Sequence, residues 1–227
     1  MTLLGEVARW FADPAHWEGP HGVPVRILEH IELSGLAIAI AVLIAAPIGL
    51  YLGHTGRGGF VAVNVANIGR ALPSFALLGI GLLVAIALGL GLGFWPTIFM
   101  LVPLAIPPIL TNTFVAVREV DRDVVDAARG MGFAEGQILR SIEIPLGLSL
   151  ILAGIRTAAV NVVATATLGA VAAGGALGRF IVDGFALREH DQVVAGALLV
   201  ALLAVLTEVS FGALERATAP RGMRAIQ

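Results

Sequence analysis

Long apolar runs alternate with short polar stretches along the chain, and this pattern predicts a membrane protein built from helices. About 20 consecutive apolar residues form one membrane-spanning helix. On this scale the sequence predicts about five spans, at 33–52, 60–93, 95–117, 146–171 and 193–214. The second block is longer than one straight span needs, and we expect it to break at Pro73. The third contains Pro103, Pro107 and Pro108, which predict kinks because proline cannot donate the helical hydrogen bond.

A polar island interrupts the apolar runs at 126–145, with the sequence DAARGMGFAEGQILRSIEIP. Just before it, Asp121 can cap a short helix whose first turn is acidic, as the positive end of the helix dipole prefers. Val124, Val125 and Ala128 lie on one apolar face of this helix. The sequence therefore predicts a short amphipathic helix before the glycines of the island.

A second short helix is predicted at 134–142, with Ile138, Leu139 and Ile142 on one side. It has to end near Pro145, because proline disfavours helical geometry in the residue before it. We expect a helix, a turn and a helix, with an apolar face free for a partner. On periodicity alone, the pattern also suits an amphipathic loop that rests on the bilayer surface.

Composition agrees with a membrane location. Hydrophobic residues make up 58% of the 227-residue chain and charged residues 13%, whereas soluble domains have about 45–50% apolar residues. Cysteine is absent, which excludes disulfides and thiolate metal sites, and the net charge of −2 argues against nucleic-acid binding. His30, His54 and His190 have no spacing that suits a metal ion, and we assign them to loops.

The distribution of arginine predicts the orientation, because cytoplasmic loops hold the excess of positive charge. One side of the predicted topology carries Arg57, Arg118, Arg122, Arg129, Arg140, Arg216, Arg221 and Arg224, and the other carries Arg9, Arg26, Arg179 and Arg188. We therefore expect the N-terminus outside and the polar island and the C-terminus in the cytoplasm. The expected parts are an extracytoplasmic segment with an amphipathic helix at 1–32, a transmembrane domain at 33–217 that contains the island loop 119–145, and a cytoplasmic tail at 218–227.

Besides Arg70 in the second block, charged residues fall within the fourth and fifth predicted spans, at Arg156 and Glu208. Each costs roughly 2.5–3.5 kcal/mol on membrane-insertion scales, and such residues normally face protein or water. We hypothesise that the two pair or line one polar interior. The alternative is that each side chain extends separately towards the cytosol.

Polar residues within the spans, including the charged Arg70, are candidates for the lining of a solute pathway. In the second block, polar residues three apart share one helix face, and the fourth span adds further polar side chains. Helix packing is the alternative role for any one of them, since Asn and Thr also hydrogen-bond between membrane helices. The predicted set is Asn64, Asn67, Arg70, Asn161, Thr165 and Thr167.

The spacing within the island narrows the interpretation. It resembles the cytoplasmic signature loop of binding-protein-dependent ABC importer permeases, which reads Glu-Ala-Ala, a glycine after three further residues, and a closing Ile-x-Leu-Pro. Here Asp126 replaces the glutamate and Ile144 replaces the leucine. The residues that match in register are Asp126, Ala127, Ala128, Gly132, Ile142, Ile144 and Pro145.

This resemblance implies an all-α, polytopic transmembrane domain of the type I ABC importer class, in which the island is a cytoplasmic coupling helix. In this family the coupling helix binds a groove on separate ATP-hydrolysing subunits, so ATP and Mg²⁺ belong to that partner. The chain itself is then a transport subunit and not an enzyme, with no cofactor of its own. The phosphate-binding pattern G-x-x-x-x-G-K-[ST] does not occur in the sequence.

The resemblance extends over about 29–217 and is greatest to the osmoprotectant branch, which imports glycine betaine, choline, carnitine or similar quaternary amines. Methionine or another amino acid is the alternative substrate. The implied partners are a second copy or a related permease, an extracytoplasmic substrate-binding protein and the lipid bilayer of a bacterial plasma membrane, without nucleic acid.

Two other classes of membrane protein fit less well. An autonomous channel or secondary transporter commonly has inverted repeats and a coupling-ion site, and the sequence shows neither. An intramembrane enzyme is not supported by a G-x-S-x-G or H-E-x-x-H motif.

Overall fold

Helices account for nearly all of the part of the chain that the computed structural model describes, residues 2–57 and 59–218 without the side chains of Val63 and Arg70. No strand occurs within these ranges. The predicted tail lies outside them from residue 219 onward. The helices are α1 (Leu3–Ala12), α2 (Val23–Thr55), α3 (Gly59–Ala71), α4 (Ser74–Ala87), α5 (Phe94–Arg118), α6 (Arg122–Gly130), α7 (Glu135–Ile138), α8 (Ile144–Thr165), α9 (Gly178–Leu187) and α10 (His190–Thr218).

Four helical segments are long and apolar enough to cross a membrane, namely Val23–Thr55, Phe94–Arg118, Glu135–Ala172 and His190–Thr218. A fifth candidate is the pair α3 and α4, which meet at an angle of 95°. The predicted break at Pro73 is confirmed, since this residue lies between the two helices and begins α4. The described part of the chain thus has four spans, or five if the bent pair counts as one.

Helix α2 begins ten residues before the predicted first span, at Val23 instead of Leu33. Its 33 residues correspond to about 50 Å of helix, which is longer than the roughly 30 Å apolar core of a bilayer. Charged residues such as Arg26 and Glu29 lie in this first part. The polar N-terminal turns of α2 therefore extend past the apolar core, which hydropathy alone cannot detect.

Small residues on α2 let it approach α5 closely. A β-carbon added to Gly49 would lie 2.8 Å from Cβ of Thr113, and one added to Gly53 would lie 2.8 Å from Cβ of Val117. Membrane helices use such small-residue faces because close packing replaces the hydrophobic driving force that lipid removes. The buried face repeats every four residues at Ala37, Ala41, Ala45, Gly49 and Gly53.

Helix α8 packs on α5 in the same way. A β-carbon added to Gly147 would lie 2.8 Å from the Ala116 carbonyl oxygen, and one added to Gly154 would lie 2.6 Å from Cβ of Asn112. Helix α5 is therefore the central helix, with α2 and α8 against it. It continues through Pro103, Pro107 and Pro108 without interruption.

The prediction that the second short helix ends near Pro145 is wrong. Helix α7 continues through a wide π turn, Leu139–Glu143, directly into α8. In this turn the Ile144 N–H donates to the Leu139 carbonyl, and Pro145 follows in the first turn of α8. Pro145 has no N–H to donate, and it follows a turn in which the hydrogen bonds are already displaced from the usual four-residue spacing.

The N-terminal segment packs against the last two helices. Trp10 of α1 contacts Phe180 of α9 edge to face, with ring centroids 5.4 Å apart. The buried residues of this cluster are Trp10, Val23, Leu177, Phe180, Ala195, Leu199 and Val200. The amphipathic helix α1 thus covers one end of α9 and α10 with its apolar face.

Candidate functional site

A cavity of about 440 Å³ lies beside the central helix α5. Its wall comes from α3, the start of α4, α5 and α8, and combines small apolar residues with hydroxyl and amide groups. The lining residues are Ala66, Gly69, Ser74, Leu104, Pro107, Pro108, Thr111, Asn112, Thr157, Asn161, Ala164 and Thr165. None of these carries a charge. The volume falls within the range of about 300–1,000 Å³ found for small-molecule sites.

The prolines of α5 add backbone polarity to this wall. Pro107 and Pro108 cannot donate to the carbonyl oxygens of Pro103 and Leu104. Asn112 uses its side-chain amide to donate to the Pro108 carbonyl, at 2.8 Å. The cavity therefore presents neutral hydrogen-bonding groups, which can contact a polar solute without holding it by charge.

Two of the predicted pathway residues, Asn161 and Thr165, lie on the cavity wall. The structure does not place Asn64, Asn67 or Thr167 there: Asn64 donates to the Phe60 carbonyl at 2.7 Å, and Thr167 donates to the Ala164 carbonyl at 2.9 Å. Asn67 is exposed. The side chain of Arg70 lies outside the described part of the chain. These residues keep only a predicted role in a wider pathway.

The same wall contains four polar residues that were not predicted from the sequence, namely Ser74, Thr111, Asn112 and Thr157. A signal for Thr157 was present, because Thr157, Asn161 and Thr165 are four residues apart and share one face of α8. A signal for Thr111 and Asn112 was present as well, because they belong to the polar run Thr111, Asn112 and Thr113 within a mostly apolar span.

Single cysteines test whether water fills this cavity. We expect cysteine at Asn161 or Thr165 to react with a charged, membrane-impermeant thiol reagent at least about tenfold faster than cysteine at Leu202, because only a hydrated thiol forms thiolate. Leu202 is exposed on the apolar α10 and serves as the lipid-facing control. The natural chain has no cysteine, so each variant carries one reactive group. If cysteines at all three positions react equally slowly with the reagent, Asn161 and Thr165 have a role in helix packing and do not line a hydrated cavity.

The two charges within the spans lie close together. The Arg156 Nε atom is 3.6 Å from Oε1 of Glu208, and its Nη1 atom is 3.2 Å from Oε2 of Glu215. Gly212 lies between the two glutamates on α10, and a β-carbon there would reach Arg156 Nη1 at 3.5 Å. Arg156 therefore lies between two carboxylates, and Glu215 was not among the predicted residues.

The polar island forms a helical hairpin, which we define as α6, α7 and the connection between them. The predicted cap is confirmed: the Asp121 carboxylate accepts a hydrogen bond from the Asp123 N–H at 2.9 Å. Gly132 follows α6 with a φ of 87°, a conformation that glycine adopts without the cost a side chain adds.

The expectation that the apolar faces of both helices are free for a partner is wrong. Val125, Ala128 and Ile138 are almost fully buried, and together with Val120 they form a cluster inside the hairpin against which Ile142 packs. Apolar side chains on two adjacent short helices bury more surface by packing on each other than by facing solvent. The role of Ala128 in coupling stays a prediction, and its side chain faces the chain's own core.

A different set of apolar residues faces outward from the hairpin. Val124 is 43% exposed, Met131 is 71% exposed and Phe133 is 40% exposed. Ala127 is exposed as well and lies between the first two on the same helical face. We call Val124, Ala127, Met131 and Phe133 the outer face.

Charged side chains fix the shape of the hairpin. Arg129 donates to Glu135 at 2.9 and 3.1 Å and to Asp126 at 2.9 Å. The Glu135 carboxylate, and after it that of Asp126, raises the pKa of the Arg129 guanidinium above its already high value. Arg129 is therefore cationic at every physiological pH and connects α6 to the start of α7.

The assignment of the three histidines to loops is wrong. His30 is buried in α2, with Nε2 2.8 Å from the Val163 carbonyl oxygen, His54 lies in the last turn of α2, and His190 begins α10. Because α2 extends past both ends of the predicted span, it contains His30 and His54. Within the described ranges, no group of three acidic or histidine side chains could hold a metal ion.

These features together define a membrane-embedded helical unit with a neutral polar cavity on one side and a projecting hairpin at one end. The chain belongs to the family described as binding-protein-dependent transport system inner membrane component, which matches residues 33–220. It is an all-α, multi-pass membrane permease subunit of the ABC importer class.

Relatives cover nearly the whole chain. The carnitine transport permease protein OpuCB of Listeria monocytogenes is 35% identical over 91% of this chain and 93% of its own length. The choline transport system permease protein OpuBB of Bacillus subtilis is 32% identical over 88% and 89%. The osmoprotectant import permease protein OsmW of Salmonella typhimurium is 30% identical over 86% and 91%.

A solved structure agrees with the fold. One chain of the MetNI methionine ABC transporter, in an inward-facing conformation, matches with a TM-score of 0.75 over 87% of this chain and 96% of that chain. Sequence identity is 20%, so this likeness concerns the fold and not the solute.

Proposed function

We propose that this chain is the permease subunit of an importer for a small osmoprotectant such as glycine betaine, choline, carnitine or a similar quaternary amine. The observation that carries the proposal is the 35% identity over 91% of the chain to a carnitine transport permease. The described side chains that line the cavity include no basic group that would repel a quaternary ammonium cation, which supports the proposal. Weak, uncharged contacts suit a pathway that a solute has to leave again. Methionine is the alternative, and the named relatives favour it less.

We further propose that separate ATP-binding subunits power this import and hold ATP and Mg²⁺. The support is the signature spacing from Asp126 to Pro145 and the hairpin that these residues form. The outer face is the surface that we expect the ATPase to contact, since apolar side chains exposed on a small charged hairpin are typical of a docking surface. An extracytoplasmic binding protein delivers the solute, as the family description implies.

The proposed orientation places the N-terminus outside and the hairpin and C-terminus in the cytoplasm. The ends of α2 and α5 lie side by side, since a β-carbon on Gly56 would be 2.8 Å from Arg118 Nη1. The hairpin adjoins the same end through His54 and Glu143. Arginines gather at this end, which is the charge bias of a cytoplasmic surface. The importer is a bacterial plasma-membrane complex in this arrangement.

We also propose that two permeases form the working unit, either two copies or this chain with a related one. Four or five spans provide one wall for a pathway, and the 440 Å³ cavity lies between helices of a single chain. Exposed apolar side chains on α3 and α4, among them Phe60, Ile68, Phe75 and Leu83, offer surface for a partner helix.

The test is purification of the chain with the ATPase encoded beside it, followed by reconstitution with the cognate binding protein. We expect glycine betaine, choline or carnitine to stimulate ATP hydrolysis and to be taken up. Stimulation by methionine alone would overturn the substrate assignment. If no ATPase co-purifies with the chain, the proposal that separate ATP-binding subunits power the import is wrong.

A further inference from the structure

A fully buried carboxylate lies where the hairpin meets the membrane helix. Glu143 is the last residue of the π turn between α7 and α8, and its side chain is 0% exposed. Its Oε2 atom is 2.5 Å from Nδ1 of His54, whereas its Oε1 atom has no hydrogen-bond partner in the described part of the chain. A buried carboxylate with one partner depends strongly on that partner, because removing it leaves an uncompensated charge.

His54 connects this carboxylate to a second one. The imidazole lies in the last turn of α2, and its Nε2 atom is 3.2 Å from Oε2 of Glu135. A carboxylate oxygen lies beside each of the two ring nitrogens of His54. His54 thus joins the end of α2 to both ends of the segment that runs from α7 through the π turn.

Arg129 extends this connection into α6. The guanidinium holds Glu135 through two hydrogen bonds, at 2.9 and 3.1 Å. The contacts run without a gap from α6 to α7, from α7 to α2 and from α2 to the start of α8. We call Arg129, Glu135, His54 and Glu143 the ionic relay. The two hydrogen bonds from Arg129 to Glu135 are charge-assisted, and bonds of this kind are roughly twice as strong as neutral ones.

We propose that the ionic relay transmits movement of the hairpin to α2, in addition to the direct covalent path into α8. This inference rests on the proposed function, in which an ATPase displaces the hairpin. Helix α8 continues from the hairpin as one helix, whereas α2 is reached through the side chain of His54. π turns within helices occur frequently at functional sites, and this one holds Glu143 against α2. His54 and Glu143 are therefore positioning residues that make α2 and α8 move together around the cavity.

The test is the amount of solute imported per ATP hydrolysed in proteoliposomes that contain the whole complex and the binding protein. Glycine betaine, choline and carnitine, all radiolabelled, are supplied together. We expect His54→Ala and Glu135→Ala to lower this ratio at least about fivefold, the lower end of typical coupling between sites, while the ATPase still co-purifies. Glu135 is exposed, so its replacement keeps the test valid if His54→Ala does not fold.

Two exposed residues at the start of α10 provide matched controls, Glu189 just before the helix and His190 as its first residue. Glu189→Ala and His190→Ala remove the same side chains outside the relay, and the ratio is expected to stay at the wild-type value. An unchanged ratio in Glu135→Ala overturns the relay. A proportional fall of uptake and hydrolysis, with the ratio constant, also overturns it and indicates a loss of folded complex. If the wild-type complex imports none of the three amines, the proposed function itself fails.

Discussion

Aspartate in place of Val124 or Met131 is expected to abolish co-purification of the partner ATPase while the permease remains folded. Both side chains belong to the outer face, at 43% and 71% exposure, so the change leaves the internal cluster of the hairpin intact. An unpaired charge would then be buried in an apolar contact. Residues at the centre of an interface cost about 2 kcal/mol or more when lost, which corresponds to roughly 30-fold in affinity. Pull-down by the tagged permease and thermal unfolding of the detergent-solubilised chain measure the two effects.

Ser141→Asp is the control for this prediction, because it adds the same charge at an exposed position of the π turn, away from the outer face. It is expected to leave ATPase binding intact. Full binding by the Val124 and Met131 variants would place the docking surface elsewhere. A substitution at Ala128 would not distinguish a lost docking contact from an unfolded hairpin, since that side chain is 1% exposed and packs inside the hairpin.

Leucine in place of Gly154 is expected to reduce solute uptake more than tenfold and to lower the thermal stability of the chain. Even a β-carbon at this position would lie 2.6 Å from Cβ of Asn112 and 2.9 Å from the Pro108 carbonyl oxygen. A leucine would push α8 away from α5, and overpacking of this kind costs about 1–3 kcal/mol or more. Asn112 and Pro108 also line the cavity, so the same displacement changes its wall.

Gly35→Leu is the matched control for this substitution. Gly35 lies in the apolar part of α2, and a β-carbon there meets nothing within 4 Å. It should leave both uptake and the unfolding temperature close to wild type. If Gly154→Leu behaves like Gly35→Leu, then close packing of α8 on α5 does not define the cavity.

Much of the hairpin followed from local sequence. Asp121 precedes an acidic turn and caps α6, and Gly132 adopts the positive φ that favours glycine. The break at Pro73 was predictable for the same reason, since proline acts on its immediate neighbours. Local rules failed at Pro145, because a π turn of five residues, Leu139–Glu143, changes the hydrogen-bond pattern of the helix before it.

The cavity was predictable only in part. Asn161 and Thr165 were found because a polar residue in a membrane span is rare and expensive. Asn64, Asn67 and Thr167 share that chemistry, yet the described cavity wall includes none of the three. Periodicity tells which residues share a face of one helix, but not which face another helix meets.

Local sequence is enough to predict a multi-pass helical membrane protein, because span length is a local property, and the spacing from Asp126 to Pro145 resembles the signature loop of ABC importer permeases. The tertiary structure alone decided that Val125 and Ala128 turn inward, that Arg156 meets both Glu208 and Glu215, and that His54 holds Glu143. His54 and Glu143 are 89 residues apart in the chain. Contacts at such separation depend on how closely packed small residues set the helices against one another, and no local pattern records that geometry.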